Sequence, residues 1–440
     1  MKRREFIQKS AWSVAGLGLT PLIGRSYNSI YGKTAAGNKI KVALIGCRSM
    51  GYANLNTFLD YPEVECIALC DVDDEWLNKR AADVEKKSGK KVPNLYKDWR
   101  RVIDNKDIDA VIIGTPDHWH CLPMIWAVQA GKDVYVEKPL SNTIEECDLM
   151  VKGARKYNRI VQVGQWQRSD PHWNEAASYL RAGNIGRIRT VKVWAYQDGK
   201  PTLPVKPDSN PPAGVDYDMW LGPAPKRPFN EYRFHYNFRF FWDYAGGLMS
   251  DWGVHLLDYA LEGMGASLPT HVFGAGGKFA YPVDAMETPD TLMATYAYKD
   301  FNIIWDHACG INHGPFDKKE GLAFYGENGT LLLTRAGWEV FPVISNNVPR
   351  MEVVPFKAGE GKGLYNHVGN FLACIKSRNL PAGDIEIGAR VAKMSHLANI
   401  SCRVQREVNW DDTRSRFVGD NEATALAKAY YRSPWELPKL

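Results

Sequence analysis

"KVALIGCRSMG", Lys41 to Gly51, is the stretch whose reading decides the fold. Val42 to Ile45 are an unbroken apolar run, the pattern of a strand covered on both faces of a parallel sheet. The run stops at Gly46, and a helical pattern opens at Gly51. A strand, a glycine turn and a helix start present backbone N–H groups to a dinucleotide pyrophosphate. Asp71, 20 residues past Gly51, ends the next apolar run, "VECIALCD". A carboxylate there accepts hydrogen bonds from ribose hydroxyls and repels a 2′-phosphate, so the reading favours NAD over NADP. Arg48 stands where such a turn usually has its second glycine. Its guanidinium either meets phosphate oxygens or points away from the turn.

Working outward, the pattern repeats. "DAVIIGTP" precedes "CLPMIWAVQAG", and "DVYVEKP" precedes "IEECDLMVKGARKY" and then "IVQVG". Short strands rich in valine and isoleucine that alternate with helices predict a Rossmann domain over residues 37–164. Residues 201–228 hold eight prolines and read as a long extended loop. From "HVFGAGGKF" to "WEVFPVI" strand-like runs follow one another. They predict, for residues 165–440, an α/β domain with a large, open, mainly antiparallel sheet. "YNHVGNFLACIKS" and "IEIGARVAKMSHLANISCRV" read as helices near its end. The fold class is α/β in two domains.

Composition narrows the function classes. The net charge is +5, but residues 1–36 carry six basic groups and one acid, so the remainder is near neutral and offers no basic nucleic-acid surface. "MKRREFIQKSAWSVAGLGLTPLIG" has paired arginines before a short apolar run, the layout of a twin-arginine export signal. It predicts export to a bacterial periplasm by that machinery. The run is too short to span a bilayer. Eight cysteines show no CxxC pair and no zinc spacing. His118 and His120 have no third ligand in view, so no metal is expected.

The chemistry gathers at three places. "GTPDHWH", Gly114 to His120, ends a strand at the edge where such sheets bind ligands, and it offers Thr115, Pro116 and His120. "DVYVEKPLS" puts Glu137 and Lys138 on that edge. With Gly46, Arg48, Met50, Gly51 and Asp71 they make the expected cofactor set. "GGLMSDWGVHLLD" carries Asp251 and His255 four residues apart, one helix face if helical. A histidine can take a proton from an alcohol, a lysine ammonium can favour the alkoxide, and an aspartate can orient either.

In that order the glycine turn, "GTPDHWH", "AGKDVYVEKPLS" and "GGLMSDWGVHLLD" resemble the Gfo/Idh/MocA oxidoreductases, from about Lys39 to Cys402. The resemblance implies Lys138 beside a nicotinamide, Asp251 and His255 facing the substrate, a cis Pro139, and oligomers built on the open sheet. It implies hydride transfer with the secondary alcohol of a sugar, cyclitol or glycoside, on tightly held NAD. Two alternatives stay open: NAD-assisted glycoside cleavage by transient oxidation, and a non-catalytic sugar- or dinucleotide-binding protein. Trp166, Arg168 and His172, after the last Rossmann strand, are placed on the substrate side, with Trp252. Tyr236 joins them from "FNEYRFHYNFRFFWDY", nine aromatics in 16 residues, which reads as a half-buried strand or as a loop under the site.

Overall fold

The computed structural model describes residues 39–200 and 202–440. The predicted export segment, residues 1–36, lies outside them. Six parallel strands form the first sheet: β1 (Ile40–Ile45), β2 (Val64–Cys70), β3 (Asn94–Tyr96), β4 (Ala110–Ile113), β5 (Asp133–Val136) and β6 (Val161–Val163). Their order is β3-β2-β1-β4-β5-β6, so the chain reverses its direction of growth between β1 and β4. The crevice beyond the strand ends at that point is where doubly wound sheets bind ligands. Helix α1 (Ser49–Phe58) follows the glycine turn, and α2 (Asp74–Ser88) follows β2, capped by the Asp73 carboxylate on the Glu75 N–H at 3.0 Å.

Glycine is required at the crossing of β1, α1 and β4. Gly46 has φ +86°. A Cβ on Gly51 would lie 2.1 Å from the Gly46 carbonyl oxygen, and one on Gly114 would lie 2.4 Å from the Gly51 Cα. Three backbones therefore touch where a side chain would hold them apart.

The second sheet has ten strands. In spatial order they are Val354–Ala358, Gly337–Pro342, Gly329–Thr334, Glu320–Tyr325, Thr190–Gln197, Asn302–Cys309, Thr291–Ala297, His271–Gly277, Val408–Asp411 and Arg416–Phe417. Every pair in its body is antiparallel except Thr190–Gln197 with Asn302–Cys309. The helices Pro171–Arg181, Gly253–Met264 and Ile385–Val404 cover one face, where Trp173, Leu257, Trp305 and Leu397 are buried. Alternate residues on the other face are exposed.

The two late helices form at Gly363–Ser377 and Ile385–Val404. The first reaches back to the Rossmann sheet, where Val368, Phe371 and Leu372 pack with Phe58 and Tyr135. Residues 229–244 are not a strand. They make two 3₁₀ turns, Glu231–Arg233 and His235–Phe240, whose inner rings Phe229, Phe234, Phe240 and Tyr244 cluster with Trp220. Alternation along the chain here reflects a wall between cluster and cleft, not a pleat. All eight cysteines are free thiols, seven of them buried, including Cys66 and Cys70 inside β2. Among the described residues no helix is long and apolar enough to cross a membrane.

Candidate active site

A cleft opens at the β1/β4 reversal. Gly46, Arg48, Met50, Asp71, Thr115, Pro116, Glu137 and Lys138 from the Rossmann side line it, facing Trp220, Tyr236, Arg239 and Asp251 from the second domain. The Asp71 carboxylate ties turn to strand. Its Oδ2 accepts the Cys47 N–H at 2.7 Å and its Oδ1 the Asp73 N–H at 3.0 Å. Burial nevertheless pushes the Asp71 carboxyl up to about 6, so further donors on it would stabilise the anion.

Arg48 lines the cleft beside the glycine turn. Its guanidinium lies 4.9 Å from the Trp76 ring centre, among Asp73, Asp71 and Glu75, and its Nη1 is buried without a partner. The side chain thus runs to the start of α2, beside the carboxylate expected to hold ribose. The second domain closes over that end of the cleft. The Asp216 N–H bonds the Val72 carbonyl at 2.9 Å, Lys97 reaches the Gly214 carbonyl at 2.9 Å, and the His235 imidazole meets Asp73 at 3.0 Å.

At the other end, Lys138 and Asp251, 113 positions apart, form a pair that the sequence brings together only through the fold. The Lys138 ammonium donates to the Asp251 carboxylate at 2.7 Å and to its carbonyl at 3.0 Å, and the Lys138–Pro139 bond that follows is cis. Arg239 donates to the other carboxylate oxygen at 3.0 Å, with Lys200 3.7 Å away. Burial alone would raise the Asp251 carboxyl. Arg239, Lys138 and Lys200 outweigh it and hold Asp251 well below the usual range, so it is an anion that orients and does not exchange protons. Glu137 steadies the same strand end. It accepts the Asn54 amide at 2.7 Å, and burial raises its carboxyl.

Asp251 and His255 do not share one unbroken helix. Trp252 separates Gly247–Asp251 from Gly253–Met264; Asp251 lines the cleft, and the charges of Lys138 and Asp251 reach His255. His255 is buried between Trp166 and Trp252, with ring centres 6.2 and 6.4 Å away. Its Nδ1 has no partner. Burial, with the Lys138 and Arg335 charges, holds the imidazole well below its ordinary pKa, so it is neutral and free to accept a proton.

Three sequence expectations need correcting. Arg168 does not face the cleft: it is locked on Asp258 at 2.6 and 2.8 Å and on Glu262 at 3.3 Å. A guanidinium at that depth needs those carboxylates more than it needs a ligand. His172 is also turned inward, between Asp170 at 3.0 Å and the Thr334 carbonyl at 3.2 Å. His120 stands behind the cleft wall, where its ring joins the carbonyls of Thr115 at 2.9 Å and Pro139 at 2.8 Å. It spaces the ends of β4 and β5. His118 bonds the Trp220 carbonyl at 3.1 Å. Among the described residues no cluster of histidine, cysteine and carboxylate side chains could hold a metal.

Two groups at the site were not singled out in the sequence. Asp117 lines the cleft, and burial, only partly offset by Lys138 and Arg239, pushes its carboxyl up to about 8. It sits in the quoted "GTPDHWH", so the signal was in hand. Lys200 had none, because it lies in a stretch without periodicity.

Known proteins bear on this geometry. A profile described as "Oxidoreductase family, NAD-binding Rossmann fold" matches residues 40–165. One described as "Oxidoreductase family, C-terminal alpha/beta domain" matches residues 190–437. The chain belongs to the Gfo/Idh/MocA oxidoreductase family. This Gfo/Idh/MocA member is 36% identical over 152 residues to a "Glycosyl hydrolase family 109 protein" of Stenotrophomonas maltophilia (strain K279a), covering 33% of this chain and 31% of that protein. It is 30% identical over 167 residues to "scyllo-inositol 2-dehydrogenase (NAD(+))" of Bacillus subtilis (strain 168), covering 37% and 46%. The aligned stretches thus span between about a third and a half of these relatives. A solved structure, "Levoglucosan dehydrogenase, complex with NADH", superposes with a TM-score of 0.65 at 20% identity, over 84% of this chain and 99% of that one, and shows the shared fold.

The residues present fit NAD, the group this family's Rossmann domain takes. The glycine cradle leaves room where any Cβ would collide, and the buried Thr115 Oγ1 and Arg48 Nη1 lack partners within the protein. Gly46, Gly51, Asp71 and Thr115 would hold it.

Proposed function

We propose that this Gfo/Idh/MocA member oxidises, or in reverse forms, a secondary alcohol of a sugar, cyclitol or glycoside. One observation carries the reading: a neutral, unpartnered His255 beside an ammonium, Lys138, that an ionised Asp251 holds at the edge of an NAD-binding sheet. Bound NAD supplies the hydride acceptor. His255 takes the hydroxyl proton. Lys138, aimed by Asp251, hydrogen-bonds the oxygen and stabilises charge as it develops there. Trp166 and Trp252 flank His255, and Tyr236, its hydroxyl 3.2 Å from Lys200, lines the cleft. The links from residues 214–216 and His235 to the start of α2 support tight retention of the dinucleotide.

The test begins with the purified protein, denatured to release its dinucleotide for mass spectrometry. A sugar panel follows, read by the absorbance of the bound nicotinamide. Stoichiometric NAD or NADH and a sugar-dependent spectral change are expected. No dinucleotide, and none taken up, would overturn the reading. The name of the Stenotrophomonas relative favours a second outcome on the same machinery, glycoside cleavage through a transient keto-sugar. Bond cleavage of a chromogenic glycoside with no external oxidant would select it.

Two further proposals rest on other features. The paired arginines and short apolar run of residues 1–24 support export by the twin-arginine route to a periplasm, which admits a folded protein with its cofactor in place. Phe273, Met293, Phe341 and Phe356, exposed on the ten-stranded sheet, support a homo-oligomer built on that sheet.

A further inference from the structure

Arg335 is a charge without a counterpart. It sits in the tight turn between Gly329–Thr334 and Gly337–Pro342, far from any sequence motif. Its guanidinium lies 4.4 Å from the Trp252 ring centre and 5.3 Å from that of Trp166, the two rings that flank His255. Its Nε is buried without a partner, and among the described residues the side chain makes no hydrogen bond or ion pair. The acids whose charge it feels are Glu320 and Asp251. Neither is within ion-pair distance. Asp251 is already engaged by Lys138, Arg239 and Lys200, and burial raises the Glu320 carboxyl.

The turn that presents Arg335 is held in place. The Thr334 hydroxyl accepts the Ala336 N–H at 3.2 Å, and the Thr334 carbonyl meets the inward-turned His172 at 3.2 Å. A guanidinium laid on indole faces is fixed in plane by cation–π attraction while its N–H donors stay free. Burying such a group unpaired is costly unless a ligand completes it. A planar fork of N–H donors matches an oxyanion better than a single hydroxyl.

We propose that the substrate is an anionic sugar, whose carboxylate or phosphate is received by Arg335 while the reacting carbinol lies at His255. This rests on the oxidoreductase reading above and names its substrate class. It also gives His172 a role at one remove, as a positioning residue for the Arg335 turn.

The test compares matched ligands on the holoprotein: glucose, glucuronate, glucose 6-phosphate and myo-inositol. Isothermal titration calorimetry reads binding without turnover, and nicotinamide absorbance reads chemistry. Glucuronate or glucose 6-phosphate is expected to bind about 30-fold or more tighter than glucose, with affinity falling as salt rises. Whichever of the two wins identifies the oxyanion. Arg335→Met is expected to weaken that binding by about the same factor, mainly in KM with kcat little changed, and Arg335→Lys to restore part of it. Equal or better binding of neutral sugars, or an Arg335→Met protein that binds the acid within twofold of the parent, overturns the inference. Tight acid binding with no nicotinamide change would uphold the anion site and count against the oxidoreductase reading. Turnover of neutral sugars alone would do the opposite.

Discussion

Replacing Lys138 with methionine separates the electrostatic role of its ammonium from its structural one. The side chain keeps most of its length, one atom shorter, and loses its charge. The Asp251 carboxylate is not orphaned, because Arg239 still donates at 3.0 Å and Lys200 stands 3.7 Å away. The expected folding cost is therefore about 1–2 kcal/mol, below the roughly 3–5 kcal/mol of breaking an isolated buried pair. Catalysis should suffer more. An ammonium about 4 Å from a developing alkoxide, at an effective dielectric near 20, contributes about 4 kcal/mol. That is roughly 10³-fold in rate. The charge it meets exists only toward the transition state, so kcat should fall while KM stays within a few-fold. The assay is single-turnover reduction of the bound nicotinamide, with dinucleotide content and thermal midpoint measured beside it. A loss under tenfold in a folded, NAD-loaded variant would refute the role given to Lys138.

Four other outcomes follow from the site. Because burial and the Lys138 and Arg335 charges depress the His255 pKa, kcat/KM should not fall with acid until pH is well below 6.5. A limb centred at or above 6.5 would contradict a neutral base, and any stability cost of charging His255 likewise grows only as pH drops below 6.5. Asp117, raised to about 8, is protonated in the fold at neutral pH but ionised in the unfolded chain. Its stabilising contribution is lost as pH rises toward 8, so Asp117→Asn should raise stability at pH 7–8 by about 1–3 kcal/mol, read by thermal melts. Asp71→Ala removes the carboxylate that links the glycine turn to the expected ribose site, and bound NAD should be lost on gel filtration; full retention would count against that role. His235→Ala cuts one tie over the same end of the cleft, and dinucleotide release should speed by about tenfold by stopped flow, consistent with a neutral imidazole's hydrogen bond to a carboxylate worth about 1.5–3 kcal/mol.

Much of this site is legible locally. The apolar run before Gly46, the spacing to Asp71, the strand end carrying Lys138 and the four-residue interval from Asp251 to His255 are short-range patterns. Each reflects a requirement met within one or two elements: a strand buried on both faces, a turn without a Cβ, a carboxylate at the next strand end. The alternation of strand and helix then fixes a parallel sheet, because successive parallel strands need crossovers. That is why the Rossmann half and its glycine cradle are legible in the sequence.

What only the tertiary structure decided concerns charge and direction. Nothing in "VGQWQRSDPHW" tells that Trp166 faces His255 while Arg168 and His172 turn inward, since that depends on where Asp258 and Thr334 arrive from other elements. The cations around Asp251 come from three separate segments, and Arg335 from a sheet turn with no motif. The sequence by itself determined which backbone could cradle a dinucleotide, because backbone conformation is set by near neighbours. Which side chains share a charged cleft, and which remain unpaired, was settled by long-range packing, because electrostatic partners depend on distance in space and not on distance along the chain.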